Sequence, residues 1–464
     1  MHVNEKGKKH LLLMRCGKCV PPSTVVSGHY LPIKDYAVND ECIGVSGKTL
    51  ITNTFQHEYN GPMLEVRAVG LLPFKITPEH PILVVPRVRV RWPISTNYYS
   101  RTEHRMHQNT KSMWSYLEPR WKKAIELVPA CSNAEGDSLV IPRTQGWVDA
   151  SEVDMKQFSR TSYATKGALL RRGVHLKFQI NETSAWLLGL YVAEGCTGPS
   201  AVYFNLGKHE HALIDMTLEK VRSLGYVGRM QQKRTATQVV ISSRLLSRAF
   251  KTWCGPRASM KRIPDFILYH KNLNLLTAFY NGYLRGDGYS YSNDKRRSSS
   301  ESMATVSKVL ALQLQLLAAR LGFLLSIYPR KPLTKPTVIE GRLVNVKPVY
   351  DLSRCVTTGN VKHKRAIILS DKILLPVRAV GVGNYSGPVN NLETTDHSYL
   401  VNNVVVHNCL EPVQHPNKAG DWRIRCARDG QPFFFSLGNP AIVFRALPKS
   451  DAASEALYTE EPVT

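Results

Sequence analysis

The 464-residue sequence predicts a mixed fold: an all-β domain in two parts, split by an inserted α/β domain. Three observations carry this expectation. Short apolar runs punctuated by turn signals such as SGH, NDE and NGP fill the stretch up to Arg143. The same texture returns after about Tyr350, in VRAVGVGNYSGPVNNLETT. Between them lie two segments of like design, WLLGLYVAEG (Trp186 to Gly195) and FYNGYLRGDG (Phe279 to Gly288), with the character of closely packed helices.

Composition narrows the class. An apolar fraction of 43% and a charged fraction of 21% suit a globular protein of about three domains. No apolar run approaches the roughly 18 residues that cross a membrane, and LLLM near the start is too short for a secretory signal. A cytoplasmic location without membrane association is expected, and the nine cysteines show no disulfide framework. Of the net charge of +25, an excess of 18 lies between Ser151 and Tyr350, where 30 Lys and Arg face 12 Asp and Glu. That concentration points to a polyanion partner for the centre of the chain.

At the far end, SYLVNNVVVHNC (Ser398 to Cys409) sets His407, Asn408 and Cys409 side by side after a strand-like run. The Asn408 amide can attack its own carbonyl to form a succinimide, His407 can move the proton, and Cys409 can hold an acyl group. Matching segments lie near the start: CVPPSTVV (Cys19 to Val26) and LLPFKITPEHPILVV (Leu71 to Val85). Taken together these resemble inteins, the self-splicing members of the hedgehog/intein family. Cys19 with Thr24 resembles the opening block, Thr77 and His80 the second, and Gly387 to Val401 with VVVHNC the closing blocks. The closing block often carries an Asp where this chain has Asn391, which leaves the role of Asn391 open.

The resemblance implies a horseshoe-shaped β domain and a sequence of acyl transfers. Cys19 attacks the Lys18 carbonyl, and His80 protonates the departing amide nitrogen. Cys409 takes over the acyl group, and Asn408 cyclises with help from His407 and His397. An S-to-N shift then joins Lys18 to Cys409, with no cofactor.

In the central segments a Gly stands six residues before another Gly, with an acid just before the second: Gly189, Glu194 and Gly195, then Gly282, Asp287 and Gly288. Packed helices of this kind bring the acids together, where mutual repulsion asks for a divalent cation. The pair resembles the motifs of LAGLIDADG homing endonucleases, with Glu194 in place of the usual Asp. This resemblance implies two pseudo-symmetric subdomains, cleavage of both strands of double-stranded DNA, and Mg2+ held by Glu194 and Asp287. Lys261 in KRIPDFIL resembles the family's lysine that stabilises charge on the phosphate. The run Thr305 to Phe323 reads as a core helix ending at Gly322, and RMQQKRTATQVVIS (Arg229 to Ser242) as a DNA-contacting strand pair. No small-molecule substrate is implied, and the expected state is a monomer.

The expected divisions are a flank at 1–18, a first splicing part at 19–150, the endonuclease at 151–350, a second splicing part at 351–408 and a flank at 409–464. Splicing would bring Cys16 and Cys409 into a C-x2-C pair that, with Cys426 and His415, is a weak zinc candidate. Before splicing, a Cys16 to Cys19 disulfide would block the nucleophile. The basic, aromatic segment Arg87 to Lys123 reads as a surface hairpin or a DNA-contacting lobe. The alternative for the whole chain is a DNA endonuclease with a splicing-defective β domain.

Overall fold

The structure is a computed structural model. It describes residues 18–100, 105–130, 135–159, 176–293, 298–330, 347–357 and 366–408, with short strands at 337–339 and 342–344 and in both flanks. Cys16, Cys409, His415 and Cys426 lie outside the described residues, and with them the expected zinc site and the Cys16 to Cys19 disulfide.

Two long strands knit the chain's outer parts together. Gly47–Ala68 alternates buried and exposed side chains along its first half, and Lys372–Thr394 runs antiparallel to it, from Val377 opposite Ala68 to Thr394 opposite Ile51. The pair belongs to a larger assembly whose strand order is Leu31–Pro32, Val25–Val26, Ser398–Val401, Val404–His407, Pro81–Ser100, Gly136–Pro142, Lys372–Thr394, Gly47–Ala68, Glu41–Gly44. Strands from before and after the central region are therefore interleaved in one assembly. The Ser398–Val401 and Val404–His407 hairpin turns through Asn402 and Asn403, at φ 46° and 68°. Two successive positive φ values are what a two-residue hairpin loop requires, and asparagine adopts them readily.

The segment Arg87 to Lys123 is a hairpin in its backbone: Pro81–Ser100 pairs with Arg105–Tyr116, and Arg120–Lys123 returns to Pro81. The side chains of 90–114 lie outside the described residues.

The central region is built twice on one plan. Each half starts with a helix, Glu182–Glu194 or Leu273–Asp287, that passes without a loop into a strand at Gly195 or Gly288. In the first half follow Val202–Gly207, the helix His211–Ser223, Gly228–Gln232 and Ala236–Ile241. In the second follow Ser298–Thr305, the helix Lys308–Leu321, Ser326–Pro329 and Tyr350–Thr357. Both antiparallel sheets place their four strands in the order first, second, fourth, third. The expected division at 350/351 needs correction. Tyr350–Thr357 is hydrogen-bonded along its whole length to Ser298–Thr305, so the second half extends at least to Thr357.

The helix Lys308–Leu321 differs from the ordinary core helix expected. It is buried from Leu310 to Arg320, including Gln313, Gln315 and Arg320, and Ala319 packs in the core of the outer β assembly. Gln315 Nε2 donates to the carbonyls of Gly70 (2.7 Å) and Leu325 (2.9 Å), and Asn403 Nδ2 donates to the Leu312 carbonyl (2.9 Å). Arg320 donates to the carbonyls of Thr144, Leu268 and His270. An apolar helix buried on every side can hold polar groups only when each finds a partner, and these find theirs on both domains. No helix among the described residues is long and apolar enough to cross a membrane.

Glycine sets how closely the two motif helices approach. A Cβ on Gly189 would meet the Phe279 carbonyl oxygen at 2.1 Å, and one on Gly282 would meet that of Trp186 at 2.0 Å. Gly189→Ala is expected to lower stability by about 1–3 kcal/mol through overpacking. Gly383→Ala, where a Cβ meets nothing within 4 Å, should stay within about 0.5 kcal/mol of the parent. Urea unfolding checks both, and equal midpoints would refute the close-approach account.

Candidate functional sites

The first site forms where residues from the two outer parts converge. Val20 and Asn390 exchange backbone hydrogen bonds of 3.0 and 2.8 Å, which lays the start of the segment against the strand Lys372–Thr394. Thr77 then grips the Cys19 peptide unit on both sides. Its Oγ1 accepts from the Cys19 N–H (2.8 Å) and donates to the Cys19 carbonyl (3.0 Å), which also accepts from the Thr77 N–H (3.0 Å). Asn391 Nδ2 donates to the Lys18 carbonyl at 2.5 Å. The Cys19 thiol is buried, and its Sγ lies 4.0 Å from His57 Nε2.

His80 sits fully buried near both ends of the segment. Burial pushes its imidazole down to about 3, with Lys18 and His407 pressing the same way and the backbone of His407 and Cys19 opposing. It is therefore neutral near pH 7. Tyr399 packs edge-on against it, ring centroids 6.4 Å apart.

At the other end Asn408 is buried between two imidazoles. Its carbonyl oxygen is 2.9 Å from His407 Nδ1, and its Nδ2 is 3.2 Å from His397 Nδ1. His397 reaches this position from a left-handed backbone at φ 58°, and its carbonyl accepts the Asn408 N–H at 3.1 Å. Burial also holds His407 down, to about 4, and Trp121 packs edge-on against it with centroids 4.9 Å apart. The structure thus gathers Cys19, Thr77, His80, His397, His407 and Asn408, while Cys409 lies outside the described residues.

The second site is the shared end of the two motif helices. Asn181 starts the first helix with a reciprocal capping box to Ser184, and Asn272 caps the second through the Asn274 N–H. Glu194 and Asp287 are the last helical residues. Burial first and the Asp287 charge second push the Glu194 carboxyl up to about 7. Asp287 is open to solvent at one edge, yet crowding by protein raises it to about 6, while a Tyr283 hydrogen bond and the Lys261 charge oppose. A cavity of about 420 Å³ lies beside them, lined by Gly195, Cys196, Arg257, Lys261, Asp287 and Thr305.

Lys261 lines that cavity but is already engaged. Its Nζ donates to the carbonyls of Tyr191 (2.9 Å) and Gly195 (2.8 Å) and lies 3.7 Å from the Tyr191 ring centroid. Burial pushes the ammonium down to about 8. In this position it ties down the end of the first motif helix, a role that sequence reasoning did not supply. Sequence reasoning also passed over His57, one polar residue among several in TNTFQHEYNG, and Tyr399, which looked like strand core.

A family model described as a LAGLIDADG-like domain matches residues 274–354, the second of the two halves. Over 84% of its length the chain is 26% identical to part of an ATP-dependent DNA helicase of Thermococcus kodakarensis, covering 36% of that protein. Over 85% it is 27% identical to an iron-sulfur cluster assembly SufBD family protein of Mycobacterium tuberculosis, covering 43% of it. A DNA polymerase of Thermococcus kodakarensis is 31% identical over 48% of the chain and 15% of its own length. The chain thus spans less than half the length of each of these three relatives. Among solved structures, I-DmoI in complex with DNA and Mn aligns with 38% of this chain and 90% of its own, at 15% identity and a TM-score of 0.26.

The raised carboxyls fix the sign of a pH effect. Ordinary values of 4.5 and 3.8 rise to about 7 and 6 on folding, so their contribution is complete below about pH 4 and is lost as pH rises through 7. Asp287→Asn removes one ionisation and should gain stability over the parent across that window. At pH 8, MgCl2 should raise the parent's melting temperature and leave that of Asp287→Asn nearly unchanged. Thermal unfolding across pH 4 to 8 tests both statements, and parallel curves would contradict them.

Proposed function

We propose that the chain is a self-splicing precursor that excises residues 19–408 and joins Lys18 to Cys409. Its inserted central region is read as a site-specific double-strand DNA homing endonuclease. The observation that carries the splicing reading is the geometry around the two peptide ends: the Lys18 carbonyl on Asn391, the Cys19 peptide clamped by Thr77, and Asn408 between His397 and His407. An ordinary β domain has no need to bury so many polar groups around one backbone site. The relatives support the same reading. One stretch of some 400 residues recurs within proteins named for a helicase and an iron-sulfur assembly factor, as an element carried by different hosts would.

The residues divide the work as follows. Thr77 holds the amide that becomes the leaving group, and the neutral His80 ring relays a proton to it. His397 Nδ1 is within reach of the Asn408 Nδ2 proton, and His407 Nδ1–H donates to the carbonyl that this nitrogen attacks. Base and electrophilic donor thus lie on opposite sides of the five-membered ring being formed. In this reading the splicing domain takes 19 to about 150 and the strands from 366 to 408, the flanks 1–18 and 409–464 are the joined product, and no cofactor takes part.

The carboxylates suit a divalent cation because crowding and mutual charge make their ionised forms costly without one. Among the described residues no cluster of three or more His, Cys, Asp or Glu surrounds them, so phosphate or water oxygens would complete the shell around Mg2+. When bound, the metal stabilises the attacking and leaving oxygens of phosphodiester hydrolysis. The exposed faces of both sheets supply the DNA contacts: Arg229 and Gln231 on one, Tyr289 and Tyr291 on the other. A monomer suffices, because both halves of the endonuclease lie in one chain.

Intact mass of the full chain beside Cys19→Ala and Asn408→Ala tests splicing. Loss of Cys19 to Asn408 with joined flanks in the parent alone is expected, whereas an unprocessed parent would favour an endonuclease with a disabled splicing domain. Cleavage of DNA carrying candidate intein-free host sites tests the second activity. Asp287→Asn and Glu194→Gln should each reduce Mg2+-dependent double-strand cutting at least 100-fold, and unchanged cutting would refute the site.

A further inference from the structure

We infer that His57 and Asn391 together activate the first acyl shift, an assignment that rests on the splicing reading above. Asn391 is oriented for one task. Its Oδ1 accepts hydrogen bonds from the Tyr399 hydroxyl (2.7 Å) and the Leu392 N–H (2.8 Å), which leaves Nδ2 facing the Lys18 carbonyl. That carbonyl is the one Cys19 attacks. An amide N–H at this position stabilises the oxyanion that develops there, whereas a carboxylate would repel it. Asn391 is 1% exposed, so its donation acts in a low-dielectric setting where it is strongest.

An amide cannot take a proton from the thiol, and His57 is placed to do so. It stands opposite Val389 in the long strand pair, two positions from the Phe55 to Asn391 pairing. Its Nε2 lies 4.0 Å from Cys19 Sγ, the outer reach of a thiol contact, and such distances tighten as attack begins. Around the thiol, Met63, Val389, Tyr59 and Tyr385 form a small apolar cluster in which a thiolate generated without a neighbouring base would be costly. Imidazole as base and amide as oxyanion donor thus divide the task between two side chains of the same ribbon.

The step balances. The proton leaves Sγ for His57 Nε2, the C–S bond to Lys18 forms, and the Lys18 to Cys19 C–N bond breaks. The amino group left on Cys19 gains one proton by relay through His80 and His57 gives up the one it took, so sulfur loses and nitrogen gains a single proton and neither ring keeps a charge. No oxidant, metal or further reactant enters.

The test uses the full chain with Asn408→Ala, which halts the second junction, and follows cleavage after Lys18 by dithiothreitol with intact mass. His57→Ala and Asn391→Ala should each slow this thiol-dependent cleavage about 100-fold or more, with melting temperatures near that of the Asn408→Ala parent. Should His57→Ala fail to fold, His57→Gln, polar but unable to accept the proton, carries the same expectation, and Asn391→Ser does so for the amide. Parent-like rates in both variants, or slowing in only one, would overturn the shared assignment while leaving the splicing reading in place. Absence of thiol-dependent cleavage in the parent would instead overturn the splicing reading, and this inference with it.

Discussion

The register between Gly47–Ala68 and Lys372–Thr394 is the constraint on which the first site depends. Their pairing, interrupted only by register shifts near each end, closes a loop of more than 300 residues, which the chain can sustain because a flexible closure costs only slowly more with length. Once closed, the ribbon fixes which side chain faces which. A one-residue slip would turn His57 and Asn391 to opposite faces and separate them from the Lys18 to Cys19 peptide. The backbone exchange between Val20 and Asn390 adds the start of the segment to the same ribbon, and Cys19 inherits its register.

Burial then sets the chemistry. His80 and His407 are both pushed well below the ordinary histidine range, so both stay neutral across the physiological window. Neutral rings can each give and accept a proton. The sign is opposite to that of the carboxyl pair, where burial raises the titration toward neutrality. The two sites therefore respond to pH in opposite senses: protonation strains the histidines, and deprotonation strains the acids.

Much of this was legible in the sequence because it depends on short local patterns. The glycine spacing around Glu194 and Asp287 predicted two close helices, and close carbonyl contacts at Gly189 and Gly282 are the physical form of that pattern. The triplet at His407 and the TPEH segment likewise announced polar residues at the ends of strands. His57 was not legible, because an alternating polar strand gives no sign of which side chain will meet a thiol contributed from 38 residues earlier. Asn391 was noticed only as a substitution, since what sets it apart is the direction of its amide, which Tyr399 and Leu392 determine. The boundary near 350 was misplaced for a related reason: strand pairing, not composition, decides that Tyr350–Thr357 belongs with the second sheet.

The helix Lys308–Leu321 argues against treating the two domains as independent parts. A domain inserted by a neutral linker would meet its host through exposed, replaceable contacts. Here Gln315 satisfies the Gly70 carbonyl, Asn403 satisfies the Leu312 carbonyl, and Arg143 Nε donates to the Ala319 carbonyl at 3.0 Å. Deleting the central region would remove these partners and open Gly70, Asn403 and the Ala319-facing side of Arg143 to solvent. Asn403 also accepts hydrogen bonds from Ser27 and Tyr30 on its Oδ1, so the same residue joins the helix to the strands that carry both peptide ends. Loss of the central domain would therefore be felt at the turn that positions His407 and Asn408.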